Sequence, residues 1–451
     1  MIMKKFTLLY IFLMLGFVLN AQRIEVAPDI GALDAALTSA NAGDTLVLQS
    51  NGSYTILDVL LVNKKVTIVA DVIDTLPALD DLPVIDNLFQ VSPVFDLKNG
   101  ANLSLIGIDV NASTAPFIFA CSNDTGAVLN LYVNRCRLHN STNNILDQVG
   151  DLDVEEVELQ TLVVKNTFVY ETGEGHGFYT KNYRGGLSDY VFENITFWDL
   201  GQQFDWMRSF PGDITQVYTF NHMTGYNLST SADNKELFGN ADADGEAALV
   251  INFKNNILHT QVSTADASLW FDNTSGRHNI TIKNNVLYNV QPIVDRGGTT
   301  NKSNNQEGVD PQFADPDNGD FTVGNTALYT AADDGKIIGA LYWHPDFMDD
   351  FSDIQSGQTG IARKIVNKVT VSTYPNPFNE SLNFKLDLKE AVNMTINLYS
   401  TDGRLVRTLV NNQYMQGAQS LSFDMGSLDA GVYLFEVKAD NYFSNGIITK
   451  L

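Results

Sequence analysis

Val133-Asn134-Arg135-Cys136, Lys165-Asn166-Thr167-Phe168, Glu193-Asn194-Ile195-Thr196, Phe220-Asn221-His222-Met223, Lys254-Asn255-Asn256-Ile257 and Lys283-Asn284-Asn285-Val286 are six versions of one phrase within residues 128–298. Their asparagines follow one another at intervals of 32, 28, 27, 34 and 29 residues. So even a recurrence, with no helical period between the copies, marks a solenoid in which each copy is one coil. The coils are β. Apolar residues alternate around each asparagine, as in Tyr190, Phe192, then Ile195 and Phe197, and β-branched and aromatic types dominate, as a pleated, half-buried surface requires. Asn is a poor strand former, so its recurrence needs a reason. At one corner of coils stacked about 4.8 Å apart, Asn side chains hydrogen-bond one another and turn backbone, and Asn tolerates a left-handed corner. These asparagines read as scaffold rather than chemistry.

The pattern resembles the right-handed, single-stranded parallel β-helix of the pectate-lyase-like superfamily, whose coils carry such asparagine ladders. The resemblance covers roughly residues 23–345. It extends to the opening words Ala42-Gly43-Asp44-Thr45-Leu46-Val47-Leu48 and Gly52-Ser53-Tyr54, and includes a chondroitinase-B-like and alginate-lyase-like group. It implies an all-β fold and no single reaction, because that architecture hosts lyases, hydrolases, adhesins and binding proteins alike.

The ends of the chain read differently. Lys4 and Lys5 precede an apolar run from Phe6 to Leu19 and then Asn20-Ala21-Gln22, which predicts a signal peptide over residues 1–21. The β-helix domain then runs over 22–345. Within it, Ile30, Leu33 and Leu37 recur at helical spacing in Pro28–Ala40, predicting an amphipathic capping helix over the open strand edges of the first coil. Asp74 to Leu88, rich in Asp, Pro and Leu, reads as a loop. Gly308-Val309-Asp310-Pro311, Asp315-Pro316 and Asn318-Gly319-Asp320 are tight turns between short edge strands. Their aspartates are the place to look for a calcium cofactor, although Asp-Pro turn chemistry already accounts for most of them.

Residues 346–370 have little periodicity and read as a linker. From Val371 onward, Tyr374-Pro375-Asn376-Pro377-Phe378, Thr401-Asp402-Gly403-Arg404 and Asp429-Ala430-Gly431-Val432-Tyr433 punctuate alternating strands, predicting a small C-terminal β-sandwich over 371–451. Those motifs, in that order, are similar to the C-terminal sorting domain of the type IX secretion system. The resemblance implies that machinery as a partner, a Gram-negative Bacteroidetes-type host, and export across the outer membrane to the cell surface or the medium.

Composition excludes several partners. With 28 basic against 53 acidic residues among 451, the formal charge of −25 repels nucleic acid and anionic membranes. Apart from the leader there is no long apolar run, so no integral membrane segment is expected in the mature protein. An anionic polysaccharide would need a local basic strip or bound cations. Two cysteines, Cys121 and Cys136, make no disulfide framework; Cys136 reads as a small hydrophobe, and one bridge between them is left open.

A second strand lies downstream of each asparagine. Laid over one another, these strands place Gln148, Lys181, Arg208, Asn240, Asn273 and Arg296 in one outward column, a register that a one-residue slip would undo. Lysis of a uronate-containing polysaccharide needs a base for the proton α to the carboxylate and positive charge for the enolate-like intermediate. Lys181 suits the first role and Arg208 the second: its fork grips a carboxylate, and a cation beside Lys181 favours the neutral amine. Tyr179, Tyr183 and Trp206 are candidate stacking partners for sugar rings, with Arg184 and Arg296 as further substrate contacts. Arg208 with Asp205, and Arg296 with Asp295, are equally available as plain ion pairs. His176, between glycines in Gly173-Glu174-Gly175-His176-Gly177, is a candidate proton donor to the leaving oxygen. The polygalacturonase pattern is absent, since no aspartate pair or Arg-x-Lys accompanies it. Glu171, Glu174, Asp205 and Asp233 are unassigned candidates for the calcium-carboxylate cluster that the chondroitinase-B-like and alginate-lyase-like resemblance implies. The sequence thus predicts an exported polysaccharide lyase, with a non-catalytic glycan-binding protein or surface adhesin as the alternative.

Overall fold

The computed structural model describes residues 21–345 and 371–451, except 73–80, 88–91, 114, 123, 125, 150–156, 186–188, 209, 211–214, 229–235, 241–246, 261–267, 294–296, 298–299, 401–404 and 440–441. The leader up to Asn20 and the 346–370 linker lie outside the described residues, as do Arg296, Asp295 and Asp233. The chain divides into two units, Met1–Asp349 and Asp350–Leu451.

The first unit is a parallel β-helix with three faces. One face is a continuous run of parallel strands from Arg23–Val26 to Thr300–Ser303, and the second runs from Ser53–Ile56 to Gln306–Glu307. The third is in two pieces. Leu60–Val62, Phe95–Leu97, Phe119–Ser122 and Leu146–Val149 form one, and Asp205–Met207, Glu236–Asn240 and Ser268–Trp270 the other.

Alternation sends every second side chain inward, so the interior is a set of columns. Tyr190, Phe192, Tyr218, Phe220, Ile251 and Phe253 are all buried, on strands paired in register. Phe220 stacks on Phe192 at 5.0 Å and meets Phe238 edge-on at 5.1 Å. Each such side chain removed from water contributes roughly 1.5–3 kcal/mol, and aromatic pairing adds to it.

The asparagine corner is real, and it is offset in two coils. Asn166, Asn194, Asn255 and Asn284 hold the left-handed position with φ from 49° to 57°, but in the coils of Asn134 and Asn221 the corner residues are Arg135 and His222. Asn166 Nδ2 donates to Asn134 Oδ1 at 3.0 Å and Asn194 Nδ2 to Asn166 Oδ1 at 2.6 Å. A second ladder, Asn256 to Asn285 to Asn305 at 3.0 and 2.9 Å, lies inside the turn. Replacing Asn194 by alanine removes a ladder bond and puts Cβ strain into a left-handed corner. A loss of about 1–3 kcal/mol is expected in denaturant unfolding.

The capping helix is shorter than predicted, Ala32–Ser39, because Gly31 takes a left-handed φ of 72° and starts it late. Leu33 and Leu37 are buried against the first coil, while Ile30 precedes the helix and is 61% exposed. At the other end, residues 308–345 fold back over the second face. Tyr342 and Trp343 both donate to Thr196 Oγ1, at 2.7 and 2.6 Å, and Leu341 N donates to Asn194 Oδ1 at 2.6 Å. The turn aspartates there accept hydrogen bonds within the fold: Asp310 from Gln312 N and Asp315 from Asn318 Nδ2 within their turns, and Asp317 from the Tyr226 hydroxyl on the second face. Among the described residues no three His, Cys, Asp or Glu side chains are placed to hold a metal ion. Cys121 and Cys136 are both free and buried, and burial pushes both thiols up to about 12.

The second unit is an antiparallel β-sandwich region. Val371–Tyr374, Ser381–Ser400, Leu405–Asp424, Gly431–Ala439 and Tyr442–Lys450 pair antiparallel, the two long strands interrupted by register shifts. It has its own core, including Phe378, Phe384, Met394, Ile396, Phe435 and Ile448. Among the described residues no helix is long and apolar enough to cross a membrane.

Candidate functional site

The break in the third face is where the predicted residues gather. Between its two pieces the coil is held by single bridges, Leu146 to Phe178 and Phe178 to Asp205. The chain then leaves the strand in a 3-10 turn, Thr180–Asn182, which carries Lys181. Upstream, the glycine-rich stretch has a packing reason: a Cβ on Gly175 would lie 2.2 Å from the carbonyl carbon of Asn143. Only glycine lets that corner approach the preceding coil.

Two buried carboxyl groups clamp the turn from opposite sides. From the preceding coil, Asp147 accepts from Asn182 Nδ2 at 2.7 Å, Asn144 Nδ2 at 2.5 Å and Gln148 N at 2.7 Å. From the following coil, Asp205 accepts from Thr180 Oγ1 at 2.8 Å and Thr180 N at 3.2 Å. Gln148 also donates its side-chain amide to the Asn182 carbonyl, and Tyr183 its hydroxyl to the Asp147 carbonyl at 2.5 Å. Burial raises the Asp147 carboxyl and pushes Asp205 up to about 8, against the opposing hydrogen bonds.

The Asp205 shift has a sign that can be tested. The folded chain keeps a proton that the unfolded chain releases between pH 3.8 and about 8. The stabilisation is therefore full below 3.8 and is lost as pH rises through 8. Asp205→Asn should keep the Thr180 bonds, remove that pH dependence, and raise stability relative to the natural protein above pH 8, as read from thermal midpoints across a pH series.

His176, Tyr179 and Lys181 are brought together. His176 is 9% exposed, its backbone N–H donates to Asn144 Oδ1 at 2.6 Å, and its ring stacks on Tyr179 at 4.3 Å. Burial, helped by the charge on Lys181, lowers its pKa to about 4. The imidazole is therefore neutral at pH 7, and its Nδ1 has no hydrogen-bond partner among the described residues. Lys181 Nζ lies 5.9 Å from the Tyr179 ring centroid. Among the described residues it forms neither an ion pair nor a hydrogen bond.

The other predicted residues divide. Arg208 is half-buried just past the end of strand Asp205–Met207, its guanidinium 4.6 Å from the Phe210 ring centroid. Asp205 does not pair with it, because that carboxyl is fully buried and taken by Thr180. Trp206 is half-buried on the outer side of the same strand. Arg184 is half-buried and opens a short strand opposite Glu158. Tyr183 is a correction: it is 1% exposed within the core, so it presents no face to a sugar. Glu171 and Glu174 are exposed.

The predicted column holds for one step. Phe178 lies opposite Asp205, which keeps Lys181 and Arg208 at equal offsets. Elsewhere it slips: Leu146, not Ile145, bridges Phe178, and Asp205 lies opposite Phe238, so Asn240 falls beside Met207. At the later step Leu237 and Phe238 are both buried, so strict alternation fails, and the pairing with Ser268–Trp270 is irregular between Glu236 and Phe238. The clamp residues Asn144, Asp147, Thr180 and Asn182 were not among the predicted site residues. An Asn or Asp near a turn has too many ordinary uses to stand out.

Two family models match parts of the chain, one of them at its C-terminal end. Residues 372–450 match the family model described as the secretion system C-terminal sorting domain. The chain is therefore one destined for export, to the cell surface or beyond it. Residues 218–339 match a domain of unknown function, DUF5123. No curated protein matches. Among solved structures, the chain is similar to the PL6 family alginate lyase AlyGC, with 18% identity and a TM-score of 0.46, covering 64% of this chain and 40% of that one. It is also similar to an alginate lyase from Paenibacillus sp. str. FPU-7, with 13% identity and a TM-score of 0.34, covering 63% and 95%. The chain thus spans 40% of the length of AlyGC. Both likenesses are distant, and the chemistry of the site stands on its own residues.

Proposed function

We propose that this is an exported polysaccharide lyase that cleaves a uronic-acid-containing chain by β-elimination at the Lys181 turn. One observation carries the reading. A lysine with no ion pair or hydrogen bond among the described residues sits beside a neutral imidazole, on a turn clamped by its two neighbouring coils. A solvated surface lysine needs no such support.

The proton balance then runs through this chain's own groups. In its unprotonated form the Lys181 amine takes the proton α to the uronate carboxylate, and the electron pair forms the new carbon–carbon double bond as the glycosidic carbon–oxygen bond breaks. Arg208 holds the carboxylate and neutralises the charge it gains. The leaving oxygen is protonated by the ammonium just formed on Lys181. His176, neutral above pH of about 4, then acts as a hydrogen-bonding neighbour rather than as an imidazolium donor.

The test is the ultraviolet absorbance of the unsaturated uronate, followed with the exported chain on pectate, alginate, chondroitin sulfate and ulvan, with and without calcium. A rising signal on one of them supports the lyase. Binding to one of them with no signal on any supports the glycan-binding alternative.

A further inference from the structure

An outward row on the third face can be followed from coil to coil. In Asp205–Met207 the flanking residues are buried and Trp206 points out; around Trp270, Leu269 and Phe271 are buried and Trp270 points out. Trp206 lies opposite Gly239, and Gly239 opposite Trp270. Tyr179 follows Phe178, which bridges to Asp205, so the row begins beside the Lys181 turn.

Gly239 shapes this row. A Cβ there would stand 2.4 Å from Cζ3 and 2.6 Å from Cε3 of Trp206. The indole therefore leans along the axis of the solenoid, across the neighbouring coil, in space that any other residue would fill. The second face offers the contrast. There the outward rings use one another up: Tyr170 stacks on His139 at 4.6 Å and on Trp198 at 4.1 Å, and Trp198 packs under Phe321 of the returning segment. Trp206 meets no other ring among the described residues, and its buried Nε1 finds no acceptor among them. A buried indole N–H usually has one.

We propose that Trp206 and Trp270, separated by Gly239, form a stacking platform for two alternate sugar rings, residues i and i+2, of a polyuronate whose reacting residue lies at Lys181. Two coils span about 10 Å, the length of a disaccharide unit. The apolar face of a pyranose covers an indole, and Arg208, two residues past Trp206, is placed for the carboxylate of the same chain. Long-range attraction cannot supply the affinity, because a protein of charge −25 repels a polyanion. Short-range stacking and local cations must supply it. This inference rests on reading the Lys181 turn as the polyuronate site, and it adds the length and direction of the bound chain.

Binding of alginate and pectate oligosaccharides to the full chain, by calorimetry and tryptophan fluorescence, tests it. Trp206→Ala and Trp270→Ala should each weaken binding roughly tenfold, and Gly239→Val should do the same with both tryptophans present by displacing the indole. Lys181→Ala should lose turnover and still bind, with the tryptophan contribution to affinity intact. Wild-type binding with unchanged affinity in Trp206→Ala and Trp270→Ala, each with a native thermal midpoint, overturns the platform and leaves the lyase reading intact. No binding of either polyuronate by the wild type overturns the platform, and the lyase reading falls with it only if chondroitin sulfate and ulvan also yield no unsaturated product.

Discussion

Lys181→Ala is expected to lower the rate of unsaturated-uronate formation by roughly 10²–10⁴-fold, the usual contribution of a positioned general base. Little stability should go with it. Nζ forms no ion pair or hydrogen bond among the described residues, so the thermal midpoint should move by no more than a surface substitution moves it, about 0.5 kcal/mol. Lys181→Arg separates charge from chemistry, since guanidinium keeps the cation and cannot give up its proton at neutral pH. It should remain inactive. Activity retained in both variants would remove Lys181 from the chemistry and leave it as a solvated cation on a turn.

The largest expected effect on stability lies in the aromatic column. Phe220 is fully buried and touches Phe192 at 5.0 Å, Phe238 at 5.1 Å and Phe253 at 5.9 Å. It therefore joins three coils. Phe220→Ala removes the ring and leaves a cavity that a strand ladder on either side keeps from collapsing, so a loss of about 3–5 kcal/mol is expected. Each coil of a solenoid is stabilised mainly by its neighbours, and the same change should cost cooperativity, read as a shallower denaturant transition. A loss below about 1 kcal/mol would mean that the column is not the interior of the molecule.

How far the sequence could be read depended on the range of the interaction. The period and strand character were legible because alternation around Asn166 or Asn194 is local, and a left-handed corner selects asparagine at its own position. The C-terminal unit was legible for the same reason, its turn words lying next to its strands. Tyr183 was misjudged as exposed because a 3-10 turn, not a strand, precedes it, and the turn rotates its ring into the core. The column beyond Arg208 slipped because Leu237 and Phe238 both face inward, and nothing local distinguishes that from ordinary alternation. Asp147 and Asp205 were least visible of all. Their role comes from bonds to Asn182 and Thr180 across coils, separated by 35 and 25 residues in the chain.

The most direct measurement is the mass of the products. The exported chain should be incubated with alginate and, separately, with pectate, and the new non-reducing ends analysed by mass spectrometry. Elimination at the Lys181 turn predicts fragments one water lighter than hydrolysis would leave, formed by the natural protein and not by Lys181→Ala. Saturated fragments, or unsaturated ones formed equally by Lys181→Ala, would contradict it.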